Sequence, residues 1–277
     1  ADKGPRLDAA EEVEAADWFD QSKQPVVISA EDGIQLHGWL FDPDCAGAKP
    51  HLYAICCHGY SGQPQDMAKY AHRFARLGFT VLVPALRGHG LSEGRYAGMG
   101  WLDRRDLMRW ISLIIDSDAD ARILLQGKSM GAAAVMMTVG EPDLPRNVVA
   151  AVEDCGYASV GQQFIDCARS MFHLPKFLAK PIVTTMGAIA RRRAGYGFQE
   201  ASCVEQLKHA TIPMLFIHGG ADDFVPSRAL DENFDACASI DRQKLLIPSA
   251  GHSMSASTAP VVYWKTVTNF VTRVFGL

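Results

Sequence analysis

The sequence predicts an α/β fold: a mostly parallel sheet with helices on both faces and a helical segment inserted late in the chain. Three observations carry this reading. From Pro25 onward, short β-branched or apolar runs alternate with longer stretches of helical period. Each run gives way to a Gly-, Ser- or Asp-rich turn, and most runs are apolar almost throughout, as strands buried on both faces must be. Between Asp154 and Pro213 the rhythm stops, leaving helical patterns without a convincing strand.

Taken in order, residues 1–24 are charged and helix-forming and are read as an N-terminal helical segment. Val26 to Ser29 and Ile34 to Phe41 flank Glu31-Asp32-Gly33, and Asp-Gly between extended runs predicts a hairpin. Buried strands are expected at Leu52 to Cys57, Thr80 to Pro84, Ala121 to Gln126, Val148 to Glu153, Pro213 to His218 and Gln243 to Ile247. Helical periodicity falls near Gln65 to Leu77, Trp101 to Ile115, Ser129 to Val139, Ser227 to Ala238 and Pro260 to Val274. Trp101, Met108 and Trp110 share helical spacing and are expected in the core. Residues 25–156 and 211–277 then form the core domain. Residues 157–210, divided by Pro175 and Pro181, form a helical lid whose last helix ends in Arg191-Arg192-Arg193-Ala194-Gly195, cations and then Gly at a C-terminus.

With 48% hydrophobic and 21% charged residues over 277 positions, the chain has the apolar content for one large core rather than a disordered polymer. A net charge of −4 supplies no basic field of the kind that holds a nucleic-acid backbone, so nucleic acid is not an expected partner. The seven cysteines, Cys45, Cys56, Cys57, Cys155, Cys167, Cys203 and Cys237, form no C-x-x-C pair and are read as free, buried thiols. No histidine string has metal-ligand spacing, and neither a metal nor a cofactor is expected. No apolar run reaches the roughly 18 residues that span a bilayer, so the expected location is cytoplasmic. The sequence begins at Ala1 rather than Met, and this expectation leaves room for a removed signal or anchor.

The chemistry concentrates at Gly127-Lys128-Ser129-Met130-Gly131, which follows a predicted strand and opens a predicted helix. G-x-S-x-G in that context is a turn that lifts a serine above the sheet edge, with glycines where a Cβ would collide with neighbouring backbone. A serine hydroxyl needs a base near neutral pH, and the base needs an orienting acid. Asp222, in the loop His218-Gly219-Gly220-Ala221-Asp222-Asp223-Phe224-Val225-Pro226, and His252, in Gly251-His252-Ser253 after the last strand, supply them in the order Ser, Asp, His. Asp223 and, on the preceding strand, Glu153 or Asp154 are the competing acids. After the first parallel strand, Cys57-His58-Gly59-Tyr60 places the Tyr60 N–H to act with the Met130 N–H as an oxyanion hole. Arg87 and His89 are read as pinning a loop, and Cys155, with no adjacent histidine in sequence, as a packed thiol.

These motifs, together with Arg87-Gly88-His89-Gly90-Leu91-Ser92 and Val225-Pro226, make the chain resemble the α/β-hydrolase superfamily from about Pro25 to the C-terminus. The likeness is to bacterial lysophospholipase-, monoacylglycerol lipase- and cinnamoyl esterase-like serine hydrolases. It implies an α/β-hydrolase fold, a Ser129 nucleophile, an Asp222 acid, a His252 base, an oxyanion hole from Tyr60 and Met130, and hydrolysis of a small-molecule carboxylic ester. A thioesterase, acyltransferase or peptidase would use the same triad, and an inactive fold serving as a binding module is the rival from another class.

The lid is basic, with seven cations against three anions from Tyr157 to Ala210. Apolar residues from Phe164 to Ile189 are interleaved with those cations. Either they pack onto the sheet edge beside solvated arginines, or they line an acyl pocket while the cations favour anionic substrates or an anionic membrane surface. The sequence specifies no oligomeric state.

Overall fold

The computed structural model describes residues 6–277, so the first five positions of the N-terminal segment lie outside the described residues. Eight strands form one sheet: β1 (Gln24–Ser29), β2 (Gln35–Phe41), β3 (Leu52–Cys57), β4 (Thr80–Pro84), β5 (Arg122–Lys128), β6 (Val148–Asp154), β7 (Met214–Gly219) and β8 (Arg242–Ile247). Their order is β1-β2-β4-β3-β5-β6-β7-β8. β1 and β2 form the expected antiparallel hairpin, β2 runs antiparallel to β4, and every later pairing is parallel.

Among the described residues the helices are α1 (Ala9–Ser22), α2 (Ala68–Arg76), α3 (Asp103–Ser117), α4 (Met130–Thr138), α5 (Val160–Phe172), α6 (Lys176–Ala194), α7 (Cys203–Leu207), α8 (Arg228–Ala236), α9 (Ser255–Thr258) and α10 (Pro260–Phe275). α1, α2 and α10 cover one face of the sheet with Phe19, Phe74 and Phe270, while α3, α4 and α8 cover the other with Trp110, Val135 and Leu230. The central strands read as apolar throughout because they feed both cores in turn. In β5, Leu124 faces the first while Ile123 and Leu125 face the second; in β7, Leu215 and Ile217 oppose Met214 and Phe216. A two-residue period with both faces buried leaves no polar side.

Several expectations are corrected. The helix read over Gln65 to Leu77 starts with a 3-10 turn, Pro64–Met67, before α2, because Pro64 and the Asp66 carboxylate, accepting the Gln63 N–H, cap it tightly. Trp110 and Met108 are core residues, but Trp101 precedes α3 and lies half-buried, with the Arg104 guanidinium 3.5 Å from its ring centroid. All seven cysteines are free, yet Cys45 is exposed in the loop after β2 and Cys167 is only half-buried. No described helix is long and apolar enough to cross a membrane.

Between β6 and β7 the chain runs through α5, α6 and α7. α5 and α6 pack as a hairpin, and α6 ends as read, with Arg191, Arg192 and Arg193 in its last turn and Gly195 as a left-handed cap. The expectation that the apolar residues of this segment pack onto the sheet edge does not hold for Met171 and Phe172 of α5 or for Phe177, Leu178 and Ile182 of α6, which are exposed.

Candidate active site

Ser129 sits between β5 and α4 with φ 56° and ψ −118°, a conformation that a residue with a side chain adopts only where surrounding structure holds it. Two anchors do so: the Ser129 N–H donates to the Asp154 carbonyl at 2.8 Å, and its own carbonyl accepts the Ala133 N–H at 3.0 Å. The flanking glycines are steric necessities. A Cβ on Gly131 would overlap the backbone carbonyls of Cys57 and His58, and one on Gly127 would overlap the backbone of Gly131. β3, β5 and α4 therefore converge closely enough to bring Tyr60 and Met130 beside Ser129, and all three line one cavity.

The Ser129 Oγ lies 2.8 Å from His252 Nε2, and His252 Nδ1 lies 2.7 Å from Asp222 Oδ2. Asp222 is buried in the loop after β7, and its Oδ1 accepts the N–H groups of Phe224 and Val225 at 3.0 and 2.8 Å. Burial alone would raise its pKa; hydrogen bonds with His218 and His252 outweigh that and hold the carboxyl down at about 2. An ionised carboxylate only accepts, so His252 Nδ1 carries a proton, and in the neutral ring Nε2 is left to accept the Ser129 hydroxyl. Asp223 is exposed and makes no hydrogen bond to His252, whose Nδ1 faces Asp222. Asp154 contributes its backbone carbonyl, and its carboxyl makes no hydrogen bond to His252.

Two histidines gain roles that their sequence positions did not reveal. His218 Nε2 lies 3.0 Å from the Val225 carbonyl and 3.3 Å from Asp222 Oδ2, the same carboxylate oxygen that His252 approaches. The signal was its place four residues before Asp222. His58, fully buried, accepts the Leu86 N–H on Nε2 at 3.0 Å and donates from Nδ1 to the Gly59 carbonyl at 2.8 Å. Burial pushes its pKa down to about 4, so this neutral tautomer persists at ordinary pH. His89 repeats the device: Nε2 accepts the Ser61 N–H at 3.2 Å and Nδ1 donates to the Arg87 carbonyl at 3.0 Å. Arg87 itself grips Asp106 with two bonds of 2.6 and 2.7 Å and Asp32 with one of 2.8 Å. Arg87 and His89 thus hold the loops as the sequence suggested, and the Tyr60 turn is fixed from two sides. Among the described residues, the Tyr60 and Met130 N–H groups donate to no protein acceptor.

Glu153, one residue before Asp154, is fully buried and accepts the Gly156 N–H at 3.0 Å. Burial raises its pKa to about 8, with His218 opposing and Asp154 reinforcing the shift. The folded chain therefore keeps a proton that the unfolded chain releases between about pH 4.5 and about 8, and this group's contribution to stability falls as pH rises through that window. Glu153→Gln, which retains the acceptor without the ionisation, is expected to leave Tm near the parent value at pH 5 and to raise it at pH 8.5, by about 2–4 °C per kcal/mol recovered. Thermal melts at the two pH values check this, and a variant destabilised more at pH 8.5 than at pH 5 contradicts it.

The cavity above Ser129 has a volume of about 410 Å³, within the roughly 300–1,000 Å³ of small-molecule sites. Met99, Phe164, Met186, Ile189 and Phe198 make it apolar. Tyr157 and Tyr196 present their rings to it, because their hydroxyls are spent on the Met99 and Ala97 carbonyls at 2.9 and 3.1 Å. Among the described lining residues the sole charge is Arg193, whereas Arg191 turns away to pair with Glu200 at 3.2 Å. Cys155 Sγ lies 3.4 Å from Ser253 Oγ and shares the neighbourhood of Asp222 and His252, their ligand-type atoms all within 4.8 Å of one another. Burial raises its thiol pKa well above the ordinary value, as a packed thiol requires.

A parallel sheet with a strained serine turn after its fifth strand and acid and histidine on later loops is the architecture of the α/β-hydrolase superfamily. Within it, the chain belongs to the family described as serine aminopeptidase, S33, whose model matches residues 48–186, half of the chain. It is 26% identical to the uncharacterized protein YqkD of Bacillus subtilis over 91% of this chain and 81% of that one. It is 29% identical to the uncharacterized protein Rv2307c of Mycobacterium tuberculosis over 82% and 72%. Among solved structures it resembles the Pyrococcus furiosus esterase Pf2001, with a TM-score of 0.72 and 20% identity, covering 91% of this chain and 92% of the other.

Proposed function

We propose that the protein is a serine hydrolase that cleaves carboxylic esters through an acyl-enzyme on Ser129. The observation that carries the proposal is the unbroken hydrogen-bond chain from Ser129 through His252 to Asp222, opening into an apolar cavity. His252 Nε2 takes the hydroxyl proton as Oγ attacks the ester carbon, and Asp222 stabilises the imidazolium that results. The N–H groups of Tyr60 and Met130, free of protein acceptors, receive the oxyanion. His252 then protonates the leaving alcohol, and water, activated by the same imidazole, releases the acid.

The family's description raises an aminopeptidase as the second reading. Such an enzyme must hold a substrate α-ammonium group, which calls for a carboxylate near the acyl carbon. The described lining of the cavity has no acidic residue, and its one charge, Arg193, repels a cation. Nitrophenyl esters of propionate and of alanine differ only in that ammonium group. The propionate ester is expected to be turned over with the higher kcat/KM, and longer unbranched acyl chains better still until the cavity is filled. Preference for the alanine ester would overturn the ester reading in favour of the peptidase.

A further inference from the structure

We propose that the tip of the α5–α6 hairpin docks on an anionic phospholipid surface. At that tip, Met171, Phe172 and Phe177 are 63%, 69% and 75% exposed, and Leu178 and Ile182 continue the patch along α6. Single exposed apolar residues are ordinary, but a cluster of this kind marks an interaction surface. The charge around it has one sign. From Cys167 to Gln199 the chain has no Asp or Glu, and it carries Arg169, Lys176, Lys180, Arg191, Arg192 and Arg193. Among the described residues only Arg191 of these six forms an ion pair.

The helix dipole accounts for Arg169 in the last turn of α5 and for Arg191, Arg192 and Arg193 in the last turn of α6, but not for the two lysines between them. Lys176 and Lys180 stand in the first turns of α6, where no acidic residue occurs and where the helix dipole disfavours positive charge. A second copy of the chain is a poor occupant, since an isologous contact would set this cationic face against itself. Apolar side chains flanked by unpaired cations are the pattern that enters a lipid headgroup layer, the rings going in and the lysines and arginine meeting phosphates.

The patch also continues into the site. Leu178, Ile182, Met186, Ile189 and Arg193, spaced by four, four, three and four residues, share one face of α6. The first two are exposed near the tip and the last three line the cavity above Ser129. This stripe rises about 22 Å along the helix and gives an acyl chain an apolar path from the surface to the serine. That last step rests on the esterase reading; the docking itself does not.

The test is co-sedimentation of the full chain with phosphatidylcholine vesicles, with and without phosphatidylglycerol, alongside turnover of a short water-soluble aryl ester without vesicles. Partition is expected to be on the order of a hundredfold stronger on the anionic vesicles, from three tip cations near the surface, and to collapse at high salt. The triple replacement Arg169→Gln, Lys176→Gln, Lys180→Gln should abolish the anionic preference. The pair Phe172→Ser and Phe177→Ser should weaken binding about tenfold or more. Neither set touches the cavity, so both should turn over the short ester at the parent rate. Equal or absent binding to both vesicle types, or binding that survives both sets of replacements, overturns the proposal. So does a concentration-dependent dimer in sedimentation velocity that the phenylalanine replacements dissolve, which would give the patch to a second copy. In the unsubstituted chain, ester turnover without any vesicle binding refutes the docking alone, and vesicle binding without turnover refutes the esterase reading alone.

Discussion

Ser129→Ala is expected to lower kcat/KM for a short aryl ester by about 10⁶-fold, the scale on which triad enzymes lose activity without their nucleophile. That corresponds to about 8 kcal/mol of transition-state stabilisation. The fold should survive. The two bonds that hold residue 129 at its positive φ use its backbone N–H and carbonyl, and alanine pays the same conformational cost as serine. The hydroxyl itself bonds only His252 among the described residues. Steady-state kinetics paired with a thermal melt check both halves, and a well-folded variant within tenfold of the parent rate would remove Ser129 from the mechanism.

Asp222→Asn is expected to reduce kcat by about 10⁴-fold, while Asp223→Asn stays near the parent. The asparagine presents an N–H₂ or a neutral carbonyl to His252 Nδ1. It therefore no longer dictates the tautomer that leaves Nε2 free to accept, and no negative charge offsets the imidazolium. Stability responds separately. A carboxyl held at about 2 in the folded chain and near 3.8 in the unfolded one stabilises the fold above the higher value, and that contribution is lost as pH falls through the lower one. The difference is about 2 kcal/mol at neutral pH, so the melt should move by several degrees and the assays belong well below it. A crippling Asp223→Asn with a mild Asp222→Asn would reverse the assignment of the acid.

Those residues were legible because their places in the chain are dictated by strand ends. Loops that follow parallel strands gather at one edge of the sheet, so Ser129, Asp222 and His252, far apart in sequence, needed only three correctly placed strands to meet. The strands were legible in turn because burial on both faces leaves an unmistakable apolar run. The connections between β6 and β7 were not. Helical periodicity marks an apolar stripe but not what covers it, so nothing in Phe172 or Phe177 distinguished a residue packed on the sheet from one left in solvent. Three consecutive arginines likewise read alike, although α6 turns Arg193 into the cavity and Arg191 toward Glu200. The bracing histidines escaped for a different reason. Their function lies in which ring nitrogen donates, and that is set by backbone groups from distant loops, as with His58 between Gly59 and Leu86.

The acyl group is expected to be carried on Ser129, and covalent trapping reads that directly. The folded protein is treated with a stoichiometric fluorophosphonate, digested and mapped by mass spectrometry. A single phosphonyl adduct on the peptide bearing Ser129, absent from Ser129→Ala and from unfolded protein and formed in step with loss of ester turnover, is the predicted result. An adduct on another serine that tracks the loss of activity, or turnover that persists once Ser129 is fully modified, would contradict it.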